Sequence, residues 1–179
     1  MNQSNRYCES LTKYQRRKSR QVQIGDVPLG SDYPIRVQSM TTTNTMDTEA
    51  TVDQSIRMIN AGSEYVRITA PSIKEAQNLA EIKKQLHKKG YTTPIIADIH
   101  FTPNAALEAA RIVEKVRINP GNFADRKKFE HIEYTDQSYH EELERICDRF
   151  VPLVKVCKDE GCAIRIGANH GSLSDRILS

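Results

Sequence analysis

Four short segments of this chain carry an arginine between two β-branched residues: Ile35-Arg36-Val37-Gln38, Val66-Arg67-Ile68-Thr69, Val116-Arg117-Ile118-Asn119 and Ile164-Arg165-Ile166-Gly167. A fifth segment, Ile96-Ala97-Asp98-Ile99-His100, has the same alternation with Asp98 and His100 in the polar places. Period-2 alternation bounded by turn residues predicts strands over 35–40, 65–70, 94–100, 115–119 and 163–167. Helical patterns separate them. Val52, Ile56 and Ile59 form an apolar stripe over 48–61, stopped by Gly62. Ser72 and Glu75 make a capping box that opens a second helix, with Ala76, Leu79, Ile82 and Leu86 facing inward and an end before Gly90. Pro103 opens a third, carrying Ala106, Leu107, Ala110 and Val113. A fourth covers 139–160 with Leu143, Ile146, Val154 and Cys157, and Pro152 should kink or restart it.

Sequential βαβ units require a parallel sheet covered by helices. Two architectures meet that requirement. One is an α/β barrel of the TIM type, of which five βα units are a part; an eight-stranded barrel takes about 250 residues. The other is an open doubly wound sheet, which lacks support because no glycine-rich dinucleotide fingerprint follows any strand. The partial (β/α)8 barrel is the expectation, with residues 1–34 as an N-terminal arm and 35–179 as the first part of the barrel. The polar run 123–139 reads as a surface insertion. The final residues, 171–179, read as a helix just beginning, and hence as a chain cut inside a larger fold.

Composition narrows the function. With 179 residues, 38% hydrophobic and 27% charged, the chain can build a core, and its net charge of +3 does not indicate nucleic acid. No apolar run is long enough to span a bilayer, and the N-terminus lacks the apolar stretch of a secretory signal, so a cytoplasmic location is expected. The basic run 13–20 reads as a solvated arm, with an organelle-targeting segment as the alternative. Cys8, Cys147, Cys157 and Cys162 have no C-x2-C spacing and read as free thiols, with no metal site in this part of the chain.

Alternation places Arg67 with Thr69, Asp98 with His100, Arg117 with Asn119, and Arg165 with Gly167 and Asn169, each pair on one face. Both faces of a parallel sheet are normally buried. Several arginines converging there need anions, and guanidinium forks match phosphate oxygens. An isolated buried Arg–Asp pair would be ordinary structure, and Arg36, earlier in its strand, can pair with an acid at the barrel bottom. The recurrence across strands instead points to a phosphate or diphosphate site at the C-terminal rim. His100 is either a packed residue or, beside Asp98, a hydrogen-bond or proton donor.

Val37-Gln38-Ser39-Met40-Thr41, Val66-Arg67-Ile68-Thr69, Ala97-Asp98-Ile99-His100-Phe101, Val116-Arg117-Ile118-Asn119-Pro120-Gly121-Asn122 and Ile164-Arg165-Ile166-Gly167-Ala168-Asn169-His170-Gly171-Ser172 together resemble the 4-hydroxy-3-methylbut-2-enyl diphosphate synthase family, in the family's order. The long segment before the fifth strand resembles the family's large form. The resemblance implies an oxidoreductase of non-mevalonate isoprenoid biosynthesis. Its barrel binds 2-C-methyl-D-erythritol 2,4-cyclodiphosphate and opens it reductively with two electrons from ferredoxin or flavodoxin. A [4Fe-4S] cluster sits in a separate C-terminal domain, held by three cysteines and a glutamate beyond Ser179. Carried onto this chain, Arg67, Arg117 and Arg165 would grip the diphosphate, Asn119 and Asn169 would orient it, and Asp98 and His100 would line the pocket. The fragment alone is expected to be inactive, and a homodimer is open. Two other readings stand beside this one: a barrel enzyme for phosphorylated or pterin substrates, such as a dihydropteroate synthase type, and a non-catalytic anion-binding fragment.

Overall fold

The computed structural model describes Ser10 and residues 12–13, 18–123 and 135–169. Its elements are β1 (Gln38–Met40), α1 (Thr48–Asn60), β2 (Tyr65–Thr69), α2 (Ile73–Lys88), β3 (Ile95–Ile99), α3 (Pro103–Ala110), β4 (Lys115–Ile118), α4 (Pro120–Phe123), α5 (Asp136–Asp159) and β5 (Ala163–Ile166). The five strands form one sheet in the order β1-β2-β3-β4-β5, every pair parallel. Each strand lies beside its predecessor and the chain never doubles back. This is how a barrel winds, whereas a doubly wound sheet reverses its strand order at a switch point.

Local chemistry accounts for the helices. Asp47 caps α1 by accepting from the Ala50 N–H at 3.1 Å. Ser72 caps α2, accepting from the Lys74 N–H at 3.2 Å and hydrogen bonding to the Glu75 carboxylate. Gly62 and Gly90 follow α1 and α2 with φ of 99° and 86°, a backbone region that other residues enter at a cost. The expected inward stripe of α2 is fully buried: Ala76, Leu79 and Ile82 at 0% exposure and Leu86 at 2%. These side chains pack with Val66, Ile68, Ala97, Ile99, Val116 and Ile118 from the outer face of the sheet. Burying each large aliphatic there contributes about 1.5–3 kcal/mol.

Four local expectations are corrected. The first strand is shorter than 35–40. Ile35 is 77% exposed and Val37 55%, and sheet pairing begins only at Gln38; just before it the Val37 N–H donates to the Glu64 carboxylate and the Val37 carbonyl accepts from the Glu64 and Tyr65 N–H groups. A β-branched residue without same-face neighbours gains little from strand geometry. Phe123 is not a surface residue. It is 2% exposed, ends the short α4, and meets Phe150 of α5 at 5.0 Å between ring centroids. Of the rest of the expected insertion, 124–134 lie outside the described residues, as does the expected helix over 171–179, while 135–139 are not a surface excursion but the cap and first residues of α5. Helix α5 starts at Asp136, before the expected 139, because Thr135 caps it by accepting from the Ser138 N–H. Helix α5 runs as one element through Pro152 to Asp159, so the expected restart does not occur; proline lacks the N–H for the ladder and its ring crowds the carbonyl four residues back, which kinks a helix without having to end it.

The segment ahead of β1 is more than a leader. Residues 18–20 are exposed, as a solvated arm would be. Val22 and Leu29 then pair antiparallel at 2.8 and 2.9 Å around a turn at Gly25, whose φ is 53°. A side chain at Gly25 would meet Glu114 and Pro94 at 3.0 Å, so only glycine lets the turn lie against the N-terminal ends of β3 and β4. The turn inserts Ile24, 0% exposed, against Tyr65, Ile96 and Ala163 on the inner face. The Tyr65 hydroxyl donates to the Val27 carbonyl at 2.7 Å. Residues 21–30 thus seal the bottom of the sheet's concave side. Ile24→Val in the whole protein is expected to lower unfolding free energy by about 1 kcal/mol, the loss of one buried methylene. Urea unfolding measures it; no loss would mean Ile24 is not packed there.

Candidate functional site

The inner face of the sheet carries Arg67 and Thr69 from β2, Asp98 from β3 and Arg117 from β4. Parallel pairing sets their levels: Thr69 is beside Asp98, Asp98 beside Arg117, and Arg117 beside Arg165. Asp98 is the hub. It is 0% exposed, and its two oxygens are taken by different arginines: Arg67 Nη2 donates to Oδ2 at 2.5 Å and Arg117 Nη1 to Oδ1 at 3.1 Å. Arg117, 7% exposed, donates with Nη2 to the Gly167 carbonyl at 3.0 Å. His100 lies at the rim with Nε2 3.6 Å from Asp98 Oδ2 and its side chain 37% exposed.

A carboxylate so buried is costly unless its lone pairs are used. Here two guanidinium groups supply the counter-charge. Between them they bring two positive charges to one negative, so the cluster keeps a net positive charge at the C-terminal ends of the strands. Arg67 Nε is buried without a hydrogen-bond partner, a donor left over by the arrangement. Unsatisfied buried donors are rare and often mark where a ligand acceptor belongs.

The structure brings together Arg67, Asp98, His100 and Arg117 of the seven expected residues. Asn119 is also buried, at 2%, and its carbonyl opens α4 by accepting from Asn122 and Phe123. Arg165 and Asn169 differ. Both are exposed, on or just after the edge strand β5, and Arg165 forms no ion pair with a described residue. Arg36 is set apart, as its early position suggested: its Nη1 meets Glu64 Oε1 at 2.7 Å, and its Nε donates to the Pro28 carbonyl. Hydrogen bonds from the Val37 N–H and Arg36 hold the Glu64 carboxyl below the usual range.

Gly167, which follows β5, shapes the site. A Cβ there would sit 2.2 Å from Arg117 Nε and 2.9 Å from its Cζ and Nη2. The guanidinium of Arg117 occupies the space that any larger residue would need. The sequence offered one signal, a glycine ending a strand, which often marks the close approach of another group.

The expected free thiols are consistent with the described cysteines. Cys157 and Cys162 are buried in the core between sheet and helices and Cys147 is exposed on α5, none of them disulfide-bonded. Among the described residues no group of three or more metal-ligating side chains converges, and no helix is long and apolar enough to cross a membrane.

A family model described as the GcpE TIM-barrel domain matches residues 19–179. A 4-hydroxy-3-methylbut-2-en-1-yl diphosphate synthase (flavodoxin) of Parabacteroides distasonis is 63% identical over 167 residues, which are 93% of this chain and 27% of that protein. The protein of the same name from Bacteroides thetaiotaomicron is 55% identical over 170 residues, 94% of this chain and 28% of the relative. A 4-hydroxy-3-methylbut-2-en-1-yl diphosphate synthase (ferredoxin), chloroplastic, of Oryza sativa subsp. japonica is 53% identical over 175 residues, covering 97% of this chain and 24% of the relative. The chain therefore spans about a quarter of the length of these relatives.

Proposed function

This chain belongs to the GcpE TIM-barrel family, and we propose that it supplies part of the substrate grip of an oxidoreductase in isoprenoid biosynthesis. The enzyme would convert 2-C-methyl-D-erythritol 2,4-cyclodiphosphate to 4-hydroxy-3-methylbut-2-enyl diphosphate by two-electron reductive ring opening. The observation that supports this reading best is the net-positive Arg67–Asp98–Arg117 cluster at the strand C-termini, with Arg67 Nε buried and unsatisfied.

In this reading the two guanidinium groups are held in place before the ligand arrives. Asp98 fixes one arm of each and leaves the remaining donors for diphosphate oxygens. Preorganised donors need no rearrangement when negative charge accumulates on the ligand. Arg165 and Asn169, exposed beside the cluster, would close over the ligand from the β5 side. Asn119 would orient it, and His100 at the rim would donate a hydrogen bond or a proton to a departing oxygen. The electron donor is flavodoxin or ferredoxin, as the relatives' names state for those proteins. A cytoplasmic location is part of the same proposal.

The family's [4Fe-4S] cluster would supply the electrons at the substrate. The residues described here do not fit as its ligands: Cys157 and Cys162 are buried away from Asp98, and Cys147 is exposed on α5. The cluster belongs, in this proposal, to the remainder of the protein. Nothing among the described residues favours the pterin alternative.

Arg117→Ala in the whole protein should weaken cyclodiphosphate binding by about 2 kcal/mol, roughly thirtyfold, through loss of a charge-assisted bond to a buried anion. Titration calorimetry with the cluster-loaded protein reads it. Unchanged affinity with an intact fold would remove Arg117 from the site, and the proposal with it.

A further inference from the structure

Lys115 is a buried, charged inner-face residue that the proposed substrate site does not use. It precedes Arg117 by two residues in β4, so both side chains leave the same face, Lys115 nearer the sealed end. It is 6% exposed, and its Nζ lies 5.0 Å from the centroid of the Tyr65 ring. Its charged neighbours are Arg67 from β2 and Arg165 from β5. Arg36, at the edge of the same cavity, already has Glu64. Among the described residues Lys115 forms no ion pair, and the acids near it are committed: Asp98 to two arginines, Glu114 to Lys83 at 2.6 Å.

The ring face of Tyr65 offsets a small part of the cost of burying an ammonium. Burial, with Arg165 and Arg67 adding repulsion, pushes Lys115 down to about 8. A ligand entering at the strand C-termini does not relieve this, because the Arg67–Asp98–Arg117 cluster lies between it and Lys115. Below the cluster is a cavity of about 470 Å3 lined by Ile24, Gln38, Tyr65, Lys115, Ile164 and Arg165, among others. Its lining includes residues of both edge strands, Gln38 of β1 and Ile164, Arg165 and Ile166 of β5. Barrel interiors are filled by side chains from all their strands. This chain spans about a quarter of its relatives' length, and a barrel of their length has further strands to fill the space.

We infer that the strands closing this barrel bring a carboxylate into the lower lumen against Lys115. The occupant of the cavity is then an acidic side chain of the same protein, set among apolar neighbours, and Lys115 pins the closing strands in register. The inference rests on the family's barrel and on charge complementarity, not on the identity of the substrate, so the two can fail separately.

The test uses the whole protein with lysine labelled at 13Cε, Lys115 being identified by the signal lost in Lys115→Arg. Its resonance is followed from pH 7 to pH 11. A facing carboxylate keeps the lysine charged, and the midpoint should lie at or above the ordinary lysine value of about 10.4. A midpoint below that overturns the inference. Thermal unfolding of Lys115→Met gives a second reading: stranding a buried carboxylate should lower the melting temperature by several degrees, whereas relief of a lone buried ammonium would leave it unchanged or raise it and refute the proposal.

Discussion

Asp98→Ala is expected to cost the whole protein about 3–5 kcal/mol of stability, enough to unfold a marginal domain at moderate temperature. The carboxylate is completely buried and is the shared acceptor of Arg67 and Arg117. Its loss leaves two guanidinium groups facing each other with no anion between them, and Arg117 is too buried to turn to water. Asp98→Asn should lose less, since an amide oxygen still accepts one hydrogen bond, although the charge is gone. Denaturant unfolding of the three proteins orders them. A second signature separates the charge effect from simple cavity formation: inorganic diphosphate should raise the melting temperature of Asp98→Ala more than that of the wild type, because the unpaired cations gain an anion. A loss below about 1 kcal/mol, or equal ligand stabilisation in both proteins, would mean that Asp98 is not the hub.

Gly167→Ala should weaken the proposed cyclodiphosphate binding by about 3 kcal/mol, more than removing the Arg117 side chain, although one methyl group is added. The methyl carbon would lie 2.2 Å from Arg117 Nε, far inside van der Waals contact. An arginine end is flexible in general. This one is held by Asp98 on one side and by the Gly167 carbonyl on the other, and so cannot step aside without breaking both. The displaced guanidinium then blocks the site that its own removal would leave open. Gly167 φ is not in the left-handed region, so the expected defect is steric and not a matter of backbone conformation. The double variant Gly167→Ala with Arg117→Ala should therefore bind better than Gly167→Ala alone. Equal affinities for those two proteins would sink the steric account.

The sheet and the central cluster were legible because both follow from simple periods. Alternation every two residues put Arg67, Asp98 and Arg117 on one face, and parallel pairing between consecutive strands brought them level. Burial of Leu79, Ile82 and Leu86 followed likewise from the helical repeat in α2. Features without a period escaped. Ile24 enters the core from a turn of ten residues, too short to show any pattern. Phe123 adjoins a polar run, yet Phe150, distant in sequence, packs against it. Gly167 matters only because of the path of another strand's side chain, and nothing in the period sets Lys115 apart from Arg117 on the same face. Strand β1 was overestimated for a related reason: β-branched composition reports suitability for a pleated surface, and at a free edge that surface has one neighbour only.

The unbroken strand order has a consequence for how the protein is made. Every strand pairs with the one synthesised just before it, so no strand waits for a distant partner, and the turn carrying Ile24, which closes the bottom, leaves the ribosome first. We expect the nascent chain to acquire protease resistance in steps, one βα unit at a time, and not in a single late event. Ribosome-arrested chains ending after β3, β4 and β5 would show this as successive protected fragments; protection arriving all at once would show that the sheet assembles only when complete. Until its edges meet, the growing sheet offers an open strand at each side, and the most exposed stage of its biosynthesis is the interval between the fifth strand and closure.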